Sequence, residues 1–338
     1  MKLVRFLLFP FAILYDLITS IRNFFFDTGV FKSTSFNFPV IAVGNLSVGG
    51  TGKSPQIEYL IRLLKNKNIA VLSRGYGRKT KEFVLINPSH TADDVGDEPL
   101  QFFTKFKNIP VAVDTNRVAG IRRLKKEINP AFVLLDDAFQ HRKVKAGYYI
   151  LLTKYNDLYS NDFLLPTGNL REARRGAKRA NVILVTKCPE DLSKQQQEHI
   201  IKEINPLKNQ QVFFTYISYG KNLKGNNPIS IEKLAIYEVV LVTGIANPTP
   251  LLNFLDSKKV SYQHLKFPDH HHFSQSDLGT IHNAYNKIKA EKKILLTTEK
   301  DYMRLSNKIN EFSYITIETQ FIDNKDVFDK KILEFIVV

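Results

Sequence analysis

From Val40 onward, short apolar runs alternate with stretches of helical spacing. Val40–Val43, Ile69–Leu72, Val111–Val113, Phe132–Leu135, 148–152 and 182–186 are aliphatic and often β-branched. Each reads as a strand buried on both faces. Phe83–Ile86 adds a further strand, and Ile57–Leu64 and Asn116–Glu127 supply helices between them. This order predicts an α/β fold with a mostly parallel sheet and helices on both faces. Lys221–Asn227 is polar, contains Gly and Asn, and reads as a linker. A smaller α/β unit follows: strand Val239–Val242, a helix from about Ser274 and strand Ile294–Leu296. The expected organisation is an N-terminal helix over 1–27, a core over 28–220, and a C-terminal domain over 221–338 closing a cleft.

Residues 1–27 break the alternation. Phe6 to Tyr15 is apolar throughout, with nothing more polar than Pro10, and a second apolar set ends in Phe24-Phe25-Phe26. At helical spacing Arg5, Ala12, Asp16, Ser20, Asn23 and Asp27 make a narrow polar stripe. The unbroken run is too short to span a bilayer, and no small-x-small cleavage site follows it. Two readings stand: a helix buried in the core, or an interfacial membrane helix with Lys2, Arg5 and Arg22 near lipid headgroups. The second is the expectation carried forward.

The first strand runs into a glycine-rich turn that ends Gly52-Lys53-Ser54-Pro55. Strand, glycine loop and helix start together form a phosphate cradle, in which backbone N–H groups close around phosphate oxygens. Gly49, Gly50, Thr51, Gly52, Lys53 and Ser54 would bind the nucleotide. Lys53 would reach the β- and γ-phosphates, and the Ser54 hydroxyl would bind Mg²⁺. Pro55 fits a first helical turn, whose N–H has no partner anyway. The strict pattern wants glycine at position 47, where this chain has Ser47.

In parallel sheets ligands gather at the carboxyl ends of strands. Arg74, Asp114, Arg117, Asp136 and Asp137 all fall there. Asp136-Asp137 suits a Walker B position holding Mg²⁺, although either could cap a helix. Asp136 ends the strand directly and is the favoured ligand, with Glu172 as a further one. Asp97 is the candidate base for phosphoryl transfer, with a plain N-cap as the alternative. Phe267-Pro-Asp-His270-His-His272 offers one histidine across the cleft; adjacent histidines diverge and make a poor zinc site. Arg171, Arg174, Arg175, Lys178 and Arg179 share one helical face and read as a basic stripe for an anionic ligand.

The net charge of +15, from 48 basic and 33 acidic residues, calls for an anionic partner: nucleic acid, acidic membrane or phosphorylated substrate. The basic residues concentrate near the phosphate loop and not in a separate patch with stacking aromatics, which argues against nucleic acid. One cysteine, Cys188, leaves no intramolecular disulfide and suits a reducing compartment.

Val43-Gly-Asn-Leu-Ser-Val-Gly-Gly-Thr-Gly-Lys-Ser-Pro55 resembles the phosphate loop of the tetraacyldisaccharide 4′-kinases, which also carry Ser at the Ser47 position. Leu72-Ser-Arg-Gly-Tyr-Gly-Arg78, Gly96-Asp-Glu-Pro99 and Asp136-Asp-Ala-Phe-Gln-His-Arg142 look like further signatures of that family. So do Pro166–Glu172, Phe267-Pro-Asp-His270 and Thr298-Glu-Lys-Asp301. The resemblance implies ATP- and Mg²⁺-dependent phosphorylation of the 4′-hydroxyl of an acylated glucosamine disaccharide 1-phosphate, giving lipid IVA in lipid A synthesis. It implies a peripheral enzyme on the cytoplasmic face of the inner membrane. By the same resemblance, Asp97 is the base and His270 its assistant, and Asp136, Asp137 and Glu172 surround the metal. Arg74, Arg117, His141 and Arg171 are the polar positions of the substrate site. Ala138 departs from an expected glycine, and Ser54 from the more usual threonine. The rival is a membrane-associated regulatory P-loop NTPase, which needs Lys53, Ser54 and Asp136 but not Asp97 with His270.

Overall fold

The computed structural model describes residues 5–306, 308–309 and 311–337. Its first sheet contains β1 (Val40–Asn45), β2 (Ile69–Ser73), β3 (Val84–Leu85), β4 (Val111–Val113), β5 (Phe132–Leu135), β6 (Tyr148–Lys154), β7 (Val182–Thr186) and β8 (Gln211–Tyr219). The second contains β9 (Lys224–Gly225), β10 (Glu238–Thr243), β11 (Ser261–Lys266), β12 (Lys293–Thr298) and β13 (Phe312–Ile315). A last strand, β14 (Ile317–Phe321), returns to the first sheet. The helices are α1 (Phe9–Asp27), α2 (Lys53–Leu64), α3 (Ala92–Val95), α4 (Asp97–Lys105), α5 (Arg117–Glu127), α6 (Lys194–Ile204), α7 (Thr249–Ser257), α8 (Gln275–Lys287), α9 (Glu299–Leu305) and α10 (Lys325–Val337).

The first sheet runs β14-β8-β7-β6-β1-β5-β2-β4-β3, parallel except at its two edges, where β14 and β3 are antiparallel. β1, β2, β5 and β7 are buried at every position, which is why their sequences are unbroken apolar runs. β1 lies between β5 and β6, so the loop after β1 opens beside the ends of strands that continue in both directions. That is the crevice where an open parallel sheet binds ligands. The second sheet runs β11-β10-β12-β13-β9, with only β9 antiparallel.

The expectation of one C-terminal unit over 221–338 differs from this pairing. Ile317–Phe321 edges the first sheet, and Phe328 and Ile332 of α10 are fully buried in the core that β1 and α2 share. The Tyr59 hydroxyl donates to Asp329 Oδ1 at 2.6 Å and closes the return. Periodicity marks such segments as strand and helix; it does not say which sheet they join.

α1 is amphipathic inside out. Only Ala12 is buried along it, while Phe11, Ile13, Leu14, Leu17, Ile18 and Phe24 are each more than half exposed. The polar stripe faces the protein. Arg5 donates to the carbonyls of Pro166 and Gly168, the Tyr15 hydroxyl to Arg171 O at 2.9 Å, and Asn23 to Glu172 at 3.0 Å. Asp27 pairs with Arg142 at 2.6 Å. Core burial is therefore not this helix's fate. Arg5 and Arg22, expected at headgroups, instead bond the protein; Arg22 donates to Gln140 O at 3.1 Å. Lys2 lies outside the described residues. Among those residues no helix is long and apolar enough to cross a membrane.

The basic stripe is also rearranged. Arg174–Arg179 is a 3₁₀ turn, so its cations scatter. Arg174 bonds Asp162 O, Arg175 bonds Ser20, and Arg179 bonds Glu172.

Phe328→Ala should cost about 3–5 kcal/mol, as for other large-to-small changes at buried aromatics. Chemical denaturation measures it. A loss below about 1 kcal/mol would mean that α10 is not part of the core.

Candidate active site

The loop after β1 carries two glycines in the left-handed region, Gly49 (φ 93°) and Gly52 (φ 84°). An L side chain there would strain the turn, so glycine at these two positions is a backbone requirement. Gly52 caps α2, whose first residues are Lys53 and Ser54, and the helix's free N–H groups and dipole face the loop. Thr186 at the end of β7 braces the loop, its hydroxyl donating to Thr51 O at 2.8 Å. The Lys53 ammonium lies 3.7 Å from Asp137 Oδ1 and 3.5 Å from Asn45 Oδ1.

The two aspartates after β5 differ in their surroundings. Asp137 adopts φ 45° and pairs with Lys53 and Arg171. Burial alone would raise its pKa, but Lys53 and Arg171 hold it below the ordinary carboxylate value. Asp136 is fully buried. Ser73 donates to its Oδ2 at 2.8 Å, and its Oδ1 has no protein partner. Burial, then the negative charges of Glu98 and Asp137, push its pKa up to about 7. A buried carboxylate oxygen without a partner is costly unless a ligand completes it. This oxygen fits a divalent cation, whose positive charge would reverse the shift. Ser54 meets the same cluster through Glu98, whose charge acts on Asp136. Among the described residues no three acidic, imidazole or thiol groups cage an ion unaided.

Glu172, expected beside the metal, has its carboxylate filled by protein donors: Arg179 at 2.8 and 2.9 Å, Gln140 at 2.9 Å and Asn23 at 3.0 Å. It ties α1 to the loop that holds Arg171, and no lone oxygen is left for a metal. Arg171 donates to Asp137 and to Asn45 O. Arg117 is buried, and its guanidinium donates to Asp114 O at 2.7 Å. Burial lowers its pKa to about 10 against the pull of Asp136, while Arg74 also lowers it. His141 is pushed down to about 4 by burial and by the Arg117 and Arg74 charges, so it is neutral at physiological pH. Its Nε2 is buried without a partner. Arg117 and Arg171 thus act directly on the acidic pair, while Arg74 and His141 lie within electrostatic reach of Arg117.

Asp97 is the first residue of α4, and the helix cap is Gly96, with no side-chain cap bond. The plain N-cap reading therefore fails. The Asp97 carboxylate reaches the second sheet: His270 Nδ1 is 3.0 Å from its Oδ2, and Arg304 places Nε at 2.9 Å and Nη2 at 2.5 Å from the same oxygen. Burial would raise its pKa, but the bonds from His270 and Arg304 outweigh it and hold Asp97 well below the usual range. His270 adopts φ 56°, rare for this residue type, and its Nε2 is 2.9 Å from Lys300 Nζ. His271 meets Asp277 at 3.0 Å, and His272 lies 3.9 Å from Asp93, so the three histidines do diverge. A cavity of about 500 Å³ opens between the domains, lined by Asp97, His270, Arg304 and Tyr76.

Arg304 and Lys187 escaped the sequence reading, and Glu98 and Lys300, though inside family-like motifs, carry no role in it. Glu98 accepts from the Ser54 hydroxyl at 2.8 Å. Lys187 (φ 58°) follows β7, and its amine faces Gly50 of the loop. Arg304 falls three residues after Asp301 on one helix face, the one signal that could have joined it to the Thr298–Asp301 motif.

A glycine loop at a strand-to-helix junction, its lysine, and a buried acid ending the adjacent strand define a P-loop phosphotransfer protein. A family model described as tetraacyldisaccharide-1-P 4′-kinase, LpxK, matches residues 4–336. The tetraacyldisaccharide 4′-kinase of Flavobacterium johnsoniae is 54% identical over 341 residues, covering 99% of this chain and 98% of that protein. The enzyme of the same name from Bacteroides thetaiotaomicron is 43% identical, covering 97% and 92%. A crystal structure of LpxK from Aquifex aeolicus in complex with ATP superposes with a TM-score of 0.80 at 28% identity, covering 98% of this chain and 99% of that one. The chain belongs to the tetraacyldisaccharide-1-P 4′-kinase family.

A carboxyl whose pKa is raised on folding makes stability fall as pH rises. Below about pH 4 both states hold the proton. Between there and about 7 only the folded Asp136 holds it, and above that range the loss is complete. Asp136→Asn should therefore raise the thermal midpoint of the protein in EDTA at pH 8 and leave it little changed at pH 4. Equal midpoints at pH 8 would contradict the buried, uncompensated charge.

Proposed function

We propose that the protein moves the γ-phosphate of ATP to the 4′-hydroxyl of an acylated glucosamine disaccharide 1-phosphate, working from an anionic membrane surface. The observation that carries this reading is Asp97, whose carboxylate, among the described residues, keeps one free oxygen to take a proton from an attacking hydroxyl and meets His270 from the other domain. In this reading the N–H groups of Gly49–Ser54 and the Lys53 ammonium hold the β- and γ-phosphates. Ser54 and Asp136 would hold Mg²⁺, with Asp137 keeping Lys53 and Arg171 in place; the ion would neutralise charge on the β- and γ-oxygens. Asp97 Oδ1 takes the acceptor proton while Oδ2 is held by its partners. The 4′-oxygen bonds to the γ-phosphorus, and the bond from phosphorus to the ADP oxygen breaks. Arg74, Arg117, His141 and Arg171 line the polar side of the acceptor site. Glu172 braces α1 and stays out of the metal's shell.

The apolar face of α1 supports the membrane assignment. So many large apolar side chains exposed on one helix exceed what a soluble surface usually leaves bare. With its polar stripe spent on the protein, the helix would lie in the interface with that face in the acyl boundary. An acylated acceptor would then reach the cleft without leaving the bilayer.

Incubation with Mg²⁺ and γ-labelled ATP plus the lipid disaccharide 1-phosphate in mixed micelles should place label on the lipid, and Lys53→Ala should abolish it. ATP hydrolysis with no labelled lipid would favour the regulatory NTPase. A triple change, Phe11→Ser, Leu14→Ser and Ile18→Ser, should weaken sedimentation with phosphatidylglycerol vesicles by roughly tenfold or more. Unchanged sedimentation would remove α1 from the membrane.

A further inference from the structure

We propose that Arg304 is a positioning residue for the phosphotransfer base: it fixes the Asp97 carboxylate by one oxygen, so that the other is presented to the acceptor hydroxyl. This rests on the reading of Asp97 as the base. Arg304 approaches Oδ2 with two nitrogens, Nε at 2.9 Å and Nη2 at 2.5 Å, and His270 Nδ1 reaches the same atom at 3.0 Å. Among the described residues Asp97 Oδ1 accepts no hydrogen bond. A carboxylate tied at one oxygen by three donors cannot rotate, and its free oxygen points one way. Pre-organisation of this kind matters because a misplacement of about 1 Å costs a catalytic group roughly 10²-fold.

Arg304 is itself built in. Its side chain is 7% exposed. Its Nη1 donates to Asp301 Oδ1 at 3.1 Å and to Gly244 O at 3.3 Å. Asp301 is fully buried, and its Oδ2 accepts from the Gly244 amide at 2.9 Å and the Thr298 hydroxyl at 2.8 Å. The second domain thus presents Arg304 and His270 as one preset pair, since His270 N also donates to Gly244 O at 3.2 Å. An ordinary surface ion pair has no such second set of bonds behind it.

The charge of Arg304 has a further effect. Across the cleft Asp97 faces His270, Lys300, Asp301 and Arg304. Glu98 follows it on its own helix, and Tyr76, Asp93 and His272 stand at the rim of the cavity. Arg304 favours the ionised carboxylate, which keeps the base unprotonated into acid. Without it, burial of Asp97 acts against one histidine alone, and the base would take up its proton at a higher pH.

The test compares wild type with Arg304→Met and Arg304→Lys in kcat, KM and pH dependence from pH 5 to 9, with Asp97→Asn alongside. Arg304→Met should lower kcat roughly 10–100-fold, leave the KM for ATP nearly unchanged, and move the acid limb to higher pH. Arg304→Lys should restore the acid limb while recovering only part of kcat, because an ammonium lacks the fork. A wild-type rate for Arg304→Met, or a loss equal at every pH and shared by Arg304→Lys, would overturn the role. If Asp97→Asn keeps its activity, the base assignment fails and this inference fails with it. An inactive Asp97→Asn beside an unaffected Arg304→Met overturns the positioning role alone.

Discussion

One carboxylate oxygen, Oδ2 of Asp97, joins the two halves of this molecule. It belongs to a helix of the first sheet and is held by side chains from the second. The helix that supplies Arg304 is fixed at its other end by a buried charge triad. Lys105 of α4 lies 2.7 Å from Glu58 of α2 and 2.8 Å from Glu299 of α9. Burial, then the neighbouring Glu58 charge, raises the Glu299 pKa against the pull of Lys105. Buried pairs of this sort add little net stability, but breaking one is expensive. What they supply here is register: α2, α4 and α9 of the second sheet meet in one arrangement.

The N-terminal helix shows the reverse of ordinary folding. α1 turns its polar stripe inward, toward the carbonyls and charges around Pro166–Glu172, and leaves most of its apolar face outside. Glu172 links the two regions, since it holds Asn23 of α1, Gln140 and Arg179 while its neighbour Arg171 reaches Asp137. A helix with an exposed apolar face and the Lys53–Asp137 cluster thereby share one scaffold.

Much of this was legible in the chain. Parallel strands buried on both faces announce themselves as unbroken apolar runs, and the loop from Gly49 to Ser54 has a spacing that few other structures share. The pairing of Asp97 with His270 followed from motif resemblance, since 173 residues separate them. Three things were hidden. The return of β14 and α10 to the first sheet depends on tertiary fit. The scattering of Arg174, Arg175 and Arg179 depends on a 3₁₀ turn that helical periodicity does not foresee. Arg304 sits in an ordinary amphipathic helix and gains meaning only when Asp97 is placed opposite it. Glu172 misled for a related reason: an acid among arginines reads equally as ligand or as brace.

The most direct measurement is a single-turnover transfer with Asp97→Asn at saturating lipid acceptor, with bound nucleotide quantified on the same sample. Nucleotide occupancy should equal that of the wild type while the transfer step slows by roughly 10²–10⁴, the usual contribution of a general base. A slowing of only a few-fold, or a loss of nucleotide that explains the whole defect, would contradict the assignment of Asp97 as the group that takes the acceptor's proton.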